Sequence, residues 1–391
     1  MFFSSAGEFT LVIIFLVIYF VARALRITWP RKIGLFLGNI VLLFTVLNAA
    51  TLLLQIGLSL LVFLVGTQLR FIRNQSLKKG IITFTIAGLI GMFIYRNYGV
   101  DESIIARLGI SYILFRHIQF LTDAFKEKIQ QYNGFDYVNF ILFFPNFLAG
   151  PIDTFNNFSR WHNKPWGKLQ KALILPGISR IFIGATKKYA LVPFILAEAT
   201  DYQILAQHHG IYIGLGLSLL AYSAYIYLDF SGYSDIAIGT GYLMGIRTPE
   251  NFRSPYLSTN LADFWRRWHI TFSNFLRNLI FKPLVIQLST WFPSAPRLFI
   301  SSLGYIITFV ICGVWHGNTL NFVYWGLWHG VGLVILKLWD TYKFQWMAKR
   351  VPTQSYYQIL MMVFTFGFVT VGWIFFHYTH QQLAEILSQL W

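Results

Sequence analysis

Two histidines that directly follow tryptophans, His269 and His316, stand 47 residues apart in a chain dominated by apolar runs. An ionisable side chain near membrane depth is expensive and by default marks a pathway or a reaction site. Imidazole titrates closest to neutrality of all side chains, which suits it to taking and returning a proton. The second pair lies in Gly313-Val-Trp-His-Gly-Asn318, where Gly317 beside His316 suggests an uncrowded side that backbone or substrate can approach. His329, in Trp325-Gly-Leu-Trp-His-Gly330, repeats the Trp-His-Gly pattern and reads as a structural histidine or a partner behind the site. Two other arrangements compete. Cys312 and His316 are four apart, hence on one helix face, and would suit a thiolate–imidazole pair; His269, His316 and His329 together have zinc-ligand chemistry. A buried cysteine is more often a small hydrophobe, and nothing in the histidine spacing favours zinc, so no metal is expected. Neither GxxxxGK[ST] nor a strand-linked GxGxxG occurs, which argues against ATP-driven chemistry.

Composition decides what must hold these residues. Of 391 residues, 56% are hydrophobic, 19% aromatic and only 12% charged, against about a quarter charged in a soluble domain. A membrane-crossing helix needs roughly 20 mostly apolar residues. Such runs recur at about 9–25, 33–49, 51–69, 81–98, 104–121, 137–150, 172–199, 211–230, 298–316, 319–338 and 355–377. The expectation is an all-α polytopic membrane protein, one domain over 1–391, with about 11 spans. Because several runs are short or broken by Gly and Pro, re-entrant or interfacial helices are expected as well.

The 31 Lys plus Arg against 15 Asp plus Glu give a net charge of +16. The basic residues cluster between apolar runs: Arg23, Arg26, Arg31 and Lys32; Arg70, Arg73, Lys78 and Lys79; Lys343, Lys349 and Arg350. That is the pattern of cytoplasmic loops, not of nucleic-acid binding. The first run lacks a basic start and a cleavage site, so it reads as a first span with its N-terminus outside.

The stretch from Tyr227 to Lys282 breaks the apolar pattern. Asp229, Asp235, Arg247, Glu250, Arg253, Asp263, Arg266, Arg267 and Arg277 fall here, with Gly232, Gly239, Gly241 and Gly245 allowing tight turns or close helix approach. Asp229 and Asp235, like Asp153 in Gly150-Pro-Ile-Asp153, read as structural ion-pair partners rather than a transport path. Laid at 100° per residue, 263–282 forms one amphipathic helix. Asp263, Arg266, Arg267, Asn274, Arg277 and Asn278 share one face; Trp265, Trp268, Phe272, Leu276 and Leu279 share the other. His269 falls at the border.

These motifs together resemble the bacterial membrane-bound O-acyltransferase family: Asp229-Phe-Ser-Gly-Tyr-Ser-Asp235, Pro249-Glu-Asn-Phe252, Asp263-Phe-Trp-Arg-Arg-Trp-His269 and Val314-Trp-His-Gly317. The likeness covers about 108–339. Phe143-Phe-Pro145, Gly150-Pro-Ile-Asp153 and the 239–249 stretch look like the branch that transfers D-alanine in teichoic acid modification. The Asp-Phe-Ser-Gly and Phe-Trp-Arg-Arg-Trp-His runs look more like alginate and peptidoglycan O-acetyltransferases, and the short C-terminus tips the balance to the D-alanyl branch. The resemblance implies a ring of helices around a thin centre, with a funnel on the cytoplasmic side. It implies a thioester donor from inside, on a phosphopantetheine carrier protein or coenzyme A, with no covalently held cofactor. It also implies a hydroxyl acceptor on an envelope polymer outside, an extracytoplasmic partner protein, and residence in the cell membrane.

In that alignment His316 takes the catalytic position and His269 the second histidine, which orients the donor or stabilises charge. Arg266, Arg267, Arg277 and Lys282 would draw a phosphopantetheine phosphate or a lipid phosphate, with Trp265, Trp268, Trp315 and Asn318 beside them. A transporter or flippase that moves a carrier without making bonds is the rival from another class, suggested by the intramembrane aspartates and broken helices. A scaffold that only docks an acylating partner is a third.

Overall fold

A computed structural model describes residues 10–17, 31–44, 47, 49–98, 110–147, 149–164, 171–196, 201–317, 319–342 and 355–390. Most of the first apolar run, Arg23, Arg26, Asn318, Lys343, Lys349 and Arg350 lie outside these residues. Every regular element among the described residues is helical. Among the described residues, six helices are long and apolar enough to cross a bilayer: Ala49–Leu69, Gln75–Tyr95, Ile211–Leu243, Arg297–His316, Leu320–Tyr342 and Tyr356–His377. Their outer positions carry Leu53, Leu61, Leu64, Phe84, Val363 and Phe364 in exposed positions, as a hydrocarbon environment permits.

Two other apolar runs are interrupted within the described residues. The run 137–150 is a nine-residue helix, Gly134–Leu142, followed by a short 3-10 turn, Phe144–Asn146. The helix breaks at Phe143, whose ψ is 100°, and Pro145, which has no N–H to continue the helical ladder, sits at the start of the turn that follows. The run 172–199 holds the helix Ile174–Ala185, then a π-helical turn and the short helix Val192–Leu196. In the other direction, the run that was expected to end at Asp229 continues without interruption to Leu243.

Two compact units divide the chain, 1–189 with 231–250, and 190–230 with 251–391. In the first, tilted and edge-on rings form the core: Phe120 lies 4.3 Å from Tyr137 and 5.4 Å from Phe155. Several of the buried charged groups there are paired. Asp136 accepts from Lys32 Nζ at 2.8 Å and faces His162 Nδ1 at 3.0 Å. The buried Lys78, read from sequence as part of a solvated basic loop, donates to Glu127 at 2.9 Å. Asp153 accepts from Thr154 N at 2.7 Å and from Asn157 Nδ2 at 2.9 Å, while burial pushes its carboxyl up to about 7. Asp235 pairs with Arg180 and with Lys187, the latter at 2.7 Å, and Arg180 also pairs with Glu250. Asp235 thus has cationic partners, whereas the hydrogen-bond donors to Asp153 are an amide and a main-chain N–H rather than the ion-pair partner expected.

The glycines of the polar stretch act mainly in helix packing. A Cβ on Gly239 would stand 2.6 Å from Gly177 O, and one on Gly184 would stand 2.6 Å from Gly232 O. The two glycine pairs, each separated by seven residues, let the helices Ile174–Ala185 and Ile211–Leu243 touch backbone to backbone. Gly245 alone takes a positive φ, 72°, as the chain turns out of the helix.

In the second unit, the helices Arg297–His316 and Leu320–Tyr342 pack in the same manner. Cβ atoms on Gly313 and Gly326 would stand 2.0 Å from Phe322 O and 2.3 Å from Phe309 O. A satellite core of Tyr202, Leu219, Tyr378, Leu383 and Ile386 seats the last helix, His380–Leu390, and Asn321 Nδ2 donates to Tyr378 O at 2.7 Å.

Gly239→Val is expected to lower the melting temperature in detergent and the folded yield sharply, because the obstructing atoms are backbone; overpacking of this kind costs about 1–3 kcal/mol or more. Gly88→Ala, where nothing lies within 4 Å, is the control and should be neutral or mildly stabilising.

Candidate active site

The amphipathic segment 263–282 is not one helix. Asn260 caps the first piece by accepting from Asp263 N at 2.8 Å, and that piece, Leu261–Arg267, stops at Trp268. His269 then takes φ 41° and ψ 54°, and a new helix runs from Ile270 to Phe275. For a residue other than glycine this left-handed backbone is disfavoured by about 1–2 kcal/mol. The segment 251–253 supplies what the break removes: Arg253 N donates to Arg267 O at 3.0 Å, and Ile270 N donates to Asn251 O at 2.8 Å. A π-helical turn, Leu276–Phe281, then shifts the face before the helix Lys282–Trp291.

The break turns His269 inward, and the ring is 3% exposed. Its Nδ1 lies 3.0 Å from Asn251 Oδ1, which also accepts from Thr271 Oγ1 at 2.9 Å. Phe230, Phe252 and Phe272 pack on the ring at 4.7, 6.5 and 5.0 Å. Burial and, secondly, the charge of neighbouring His316 hold its pKa down to about 3, so the imidazole is neutral at working pH.

His316 ends the helix Arg297–His316. Its ring is caged by Trp315 at 4.4 Å, Phe376 at 4.8 Å, Trp325 at 5.0 Å, Phe322 at 6.2 Å and Phe272 at 6.5 Å. The two Trp-His pairs therefore meet on one ring, Phe272, which also packs at a tilt against Trp315 at 4.5 Å. Gly317 does not leave an open side as expected: a Cβ there would stand 2.2 Å from Phe322. The glycine serves close packing of Phe322.

His329 belongs to the same assembly. It is 0% exposed, its ring lies 4.9 Å from Trp325 and 5.2 Å from Trp265, and neither ring nitrogen has a hydrogen-bond partner among the described residues. The same holds for Trp325 Nε1, Trp265 Nε1 and Thr308 Oγ1. Trp265 and Thr308 also line a cavity of about 230 Å³, with Arg266, Asn274 and Arg277 around it and Leu276, Phe281, Tyr305, Phe309 and Leu333 as apolar walls. Ring contacts lead inward from that cavity, from Trp265 to Trp325 at 5.9 Å and from Trp325 to His316.

The other expected residues divide. Arg277 donates to Asn274 Oδ1 at 2.9 Å beside the cavity. Arg267 turns to Asp263, with Nε 2.9 Å from Oδ2, and Lys282 is exposed; neither lines the cavity. Trp268 is buried between Phe252, Phe264 and Trp373 and positions the turn. Asp229 sits within the long helix Ile211–Leu243, while Asp153 and Asp235 lie in the first unit. Among the described residues no three His, Cys, Asp or Glu side chains are grouped to hold a metal ion. Asn251, Phe272, Trp325 and Thr308 gain their roles from the structure; the first three lay in stretches that the sequence had singled out without assigning them a part, and Thr308 did not.

The profile of the MBOAT, membrane-bound O-acyltransferase family, matches residues 1–381. "Teichoic acid D-alanyltransferase" of Bacillus subtilis (strain 168) is 34% identical over 284 residues, covering 70% of this chain and 69% of the relative. A protein of the same name from Streptococcus thermophilus is 29% identical over 302 residues, 74% of this chain and 71% of the relative. "Probable alginate O-acetylase AlgI" of Pseudomonas aeruginosa is 29% identical over 337 residues, which span 80% of this chain but 60% of that longer relative.

Asparagine tolerates left-handed backbone better than histidine does, so His269→Asn should fold normally at pH 7.5, with a melting temperature close to wild type, yet lose roughly 100-fold or more of its activity. A histidine with a depressed pKa binds more protons unfolded than folded, and it adds stability above its ordinary value of 6.5 that is lost as pH falls toward about 3. The same variant should therefore melt with a shallower dependence on acid across that window.

Proposed function

The chain belongs to the membrane-bound O-acyltransferase family and is a multi-pass membrane O-acyltransferase; on that premise we propose that it moves an acyl group from a pantetheine thioester to a hydroxyl of a cell-envelope polymer. D-alanylation of teichoic acid is the leading assignment and acetylation of a polysaccharide the alternative, following what the relatives are named for. The donor is a carrier protein or coenzyme A arriving from the cytoplasm, the acceptor and a partner protein are on the outer face, and the membrane is the cell membrane.

The observation that carries this reading is the sequence of surfaces from the arginine-bearing cavity to His316. Arg266 and Arg277 suit a phosphate, since guanidinium forks match its oxygens. The apolar walls suit the thinner arm that follows. Trp265, Thr308, Trp325 and His329 offer buried hydrogen-bonding atoms along the way, and such atoms are costly to leave unpaired. At the inner end, His316 takes the proton from the acceptor hydroxyl as its oxygen bonds to the thioester carbonyl carbon. The carbon–sulfur bond then breaks, and the imidazolium returns the proton to the leaving thiolate. Trp325 Nε1–H, buried beside His316, is a suitable donor to the oxyanion that develops between these steps.

With purified protein in liposomes and a labelled acyl thioester, His316→Ala should cut formation of acylated acceptor by about 10³-fold at unchanged protein level. Retained wild-type turnover would remove His316 as the base. Arg266→Gln combined with Arg277→Gln should instead raise KM for the donor by about tenfold or more, with kcat nearly unchanged.

A further inference from the structure

We infer that Asn251 is a positioning residue that fixes His269 in the tautomer protonated at Nδ1, so that Nε2 carries a lone pair rather than an N–H. The inference rests on the acyltransferase reading of the site.

The identity of the Asn251 atom facing the ring is determined by its other neighbours. Thr271 N lies 3.4 Å from it and Thr271 Oγ1 lies 2.9 Å from it. A main-chain N–H can only donate, so the atom on which these groups converge is the carbonyl oxygen. An amide oxygen can only accept, and Nδ1 of His269, 3.0 Å away, must therefore carry the proton. A neutral imidazole has one proton, and the lone pair falls to Nε2. Asn251 is itself held independently of its side chain, because its carbonyl accepts from Ile270 N at 2.8 Å. The turn at His269 and the tautomer of its ring thus depend on the same residue, one through the main chain and the other through the side chain.

The consequence for acyl transfer is a division of labour. A ring with a lone pair at Nε2 cannot donate to the oxyanion of the tetrahedral intermediate; it accepts from a neighbouring hydroxyl of the acceptor or a bound water and so holds the acceptor in line, while the single proton of the attacking hydroxyl goes to His316. Phe230, Phe252 and Phe272, which pack on the ring, carry no charge, and His316 is a titratable group whose charge reaches it.

The test reads the tautomer directly. Full-length protein labelled with 15N in its histidine rings, in detergent, should show a protonated Nδ1 and an unprotonated Nε2 for His269, assigned by loss of the signals in His269→Gln. Asn251→Ala should convert the ring to a mixture of tautomers and lower kcat by about 100-fold with donor KM nearly unchanged. Asn251→Asp keeps the shape and the main-chain bonds. It should retain the Nδ1 proton, raise the basicity of the ring and bring into the pH–rate profile an acid limb that wild type lacks between about pH 5 and 7. A protonated Nε2 in wild type, or an Asn251→Asp profile superimposable on wild type, overturns the inference. Because the tautomer is read without substrate, its failure is distinct from failure of the acyltransferase reading, which would appear as absence of acylated product from the wild-type protein.

Discussion

Asn251 grips the turn at His269 from two directions, accepting from Ile270 N through its main chain and from Thr271 and His269 through its side chain. Without those bonds the segment 261–275 has every local reason to remain one amphipathic helix: it contains neither Gly nor Pro, and its apolar face continues across the break. The hydrogen bonds of the 251–253 segment compensate for a left-handed histidine, and the turn in exchange points that histidine inward. Everything further in follows from this turn. Phe272 reaches both Trp-His pairs because the helix that carries it restarts at Ile270 in a new direction.

Around this turn the site is made almost wholly of rings. Aromatic walls exclude water, which strengthens each remaining polar interaction and raises the penalty for leaving one unmet. That explains how so many polar atoms can be concentrated in an apolar unit. His329, Trp265, Trp325 and Thr308 stay buried because close helix packing at Gly313, Gly326 and Gly330 holds them there. A substrate with amides and a thioester would meet donors and acceptors at each step, whereas a plain hydrocarbon chain would not.

Much of the chemistry was legible in the residues, and much of the geometry was not. The Trp-His pairs stood out because ionisable groups are rare in apolar sequence, and the long spans followed from run length. The break at His269 was invisible because its cause lies 16–18 residues earlier in sequence, in main-chain groups that carry no residue signature. Asp229 resembled the end of a span because a carboxylate ordinarily marks a boundary. The helix passes through it and through Asp235, whose charge Arg180 and Lys187 neutralise. Gly317 was read as space beside His316, but small residues serve tight packing as readily as access, and Phe322 occupies that side. Asn251 lay within Pro249-Glu-Asn-Phe252 and passed without a role, since a loop asparagine ordinarily forms a turn with its own neighbours.

The central claim is that His269 and His316 act as one reaction centre across Phe272. A double-mutant cycle on kcat, with His269→Asn and His316→Ala singly and combined in liposomes, tests it most directly. Residues that act as a unit are strongly non-additive, so the double variant should be little worse than the poorer single one. Losses that simply multiply would mean that the two histidines work independently and would contradict the account.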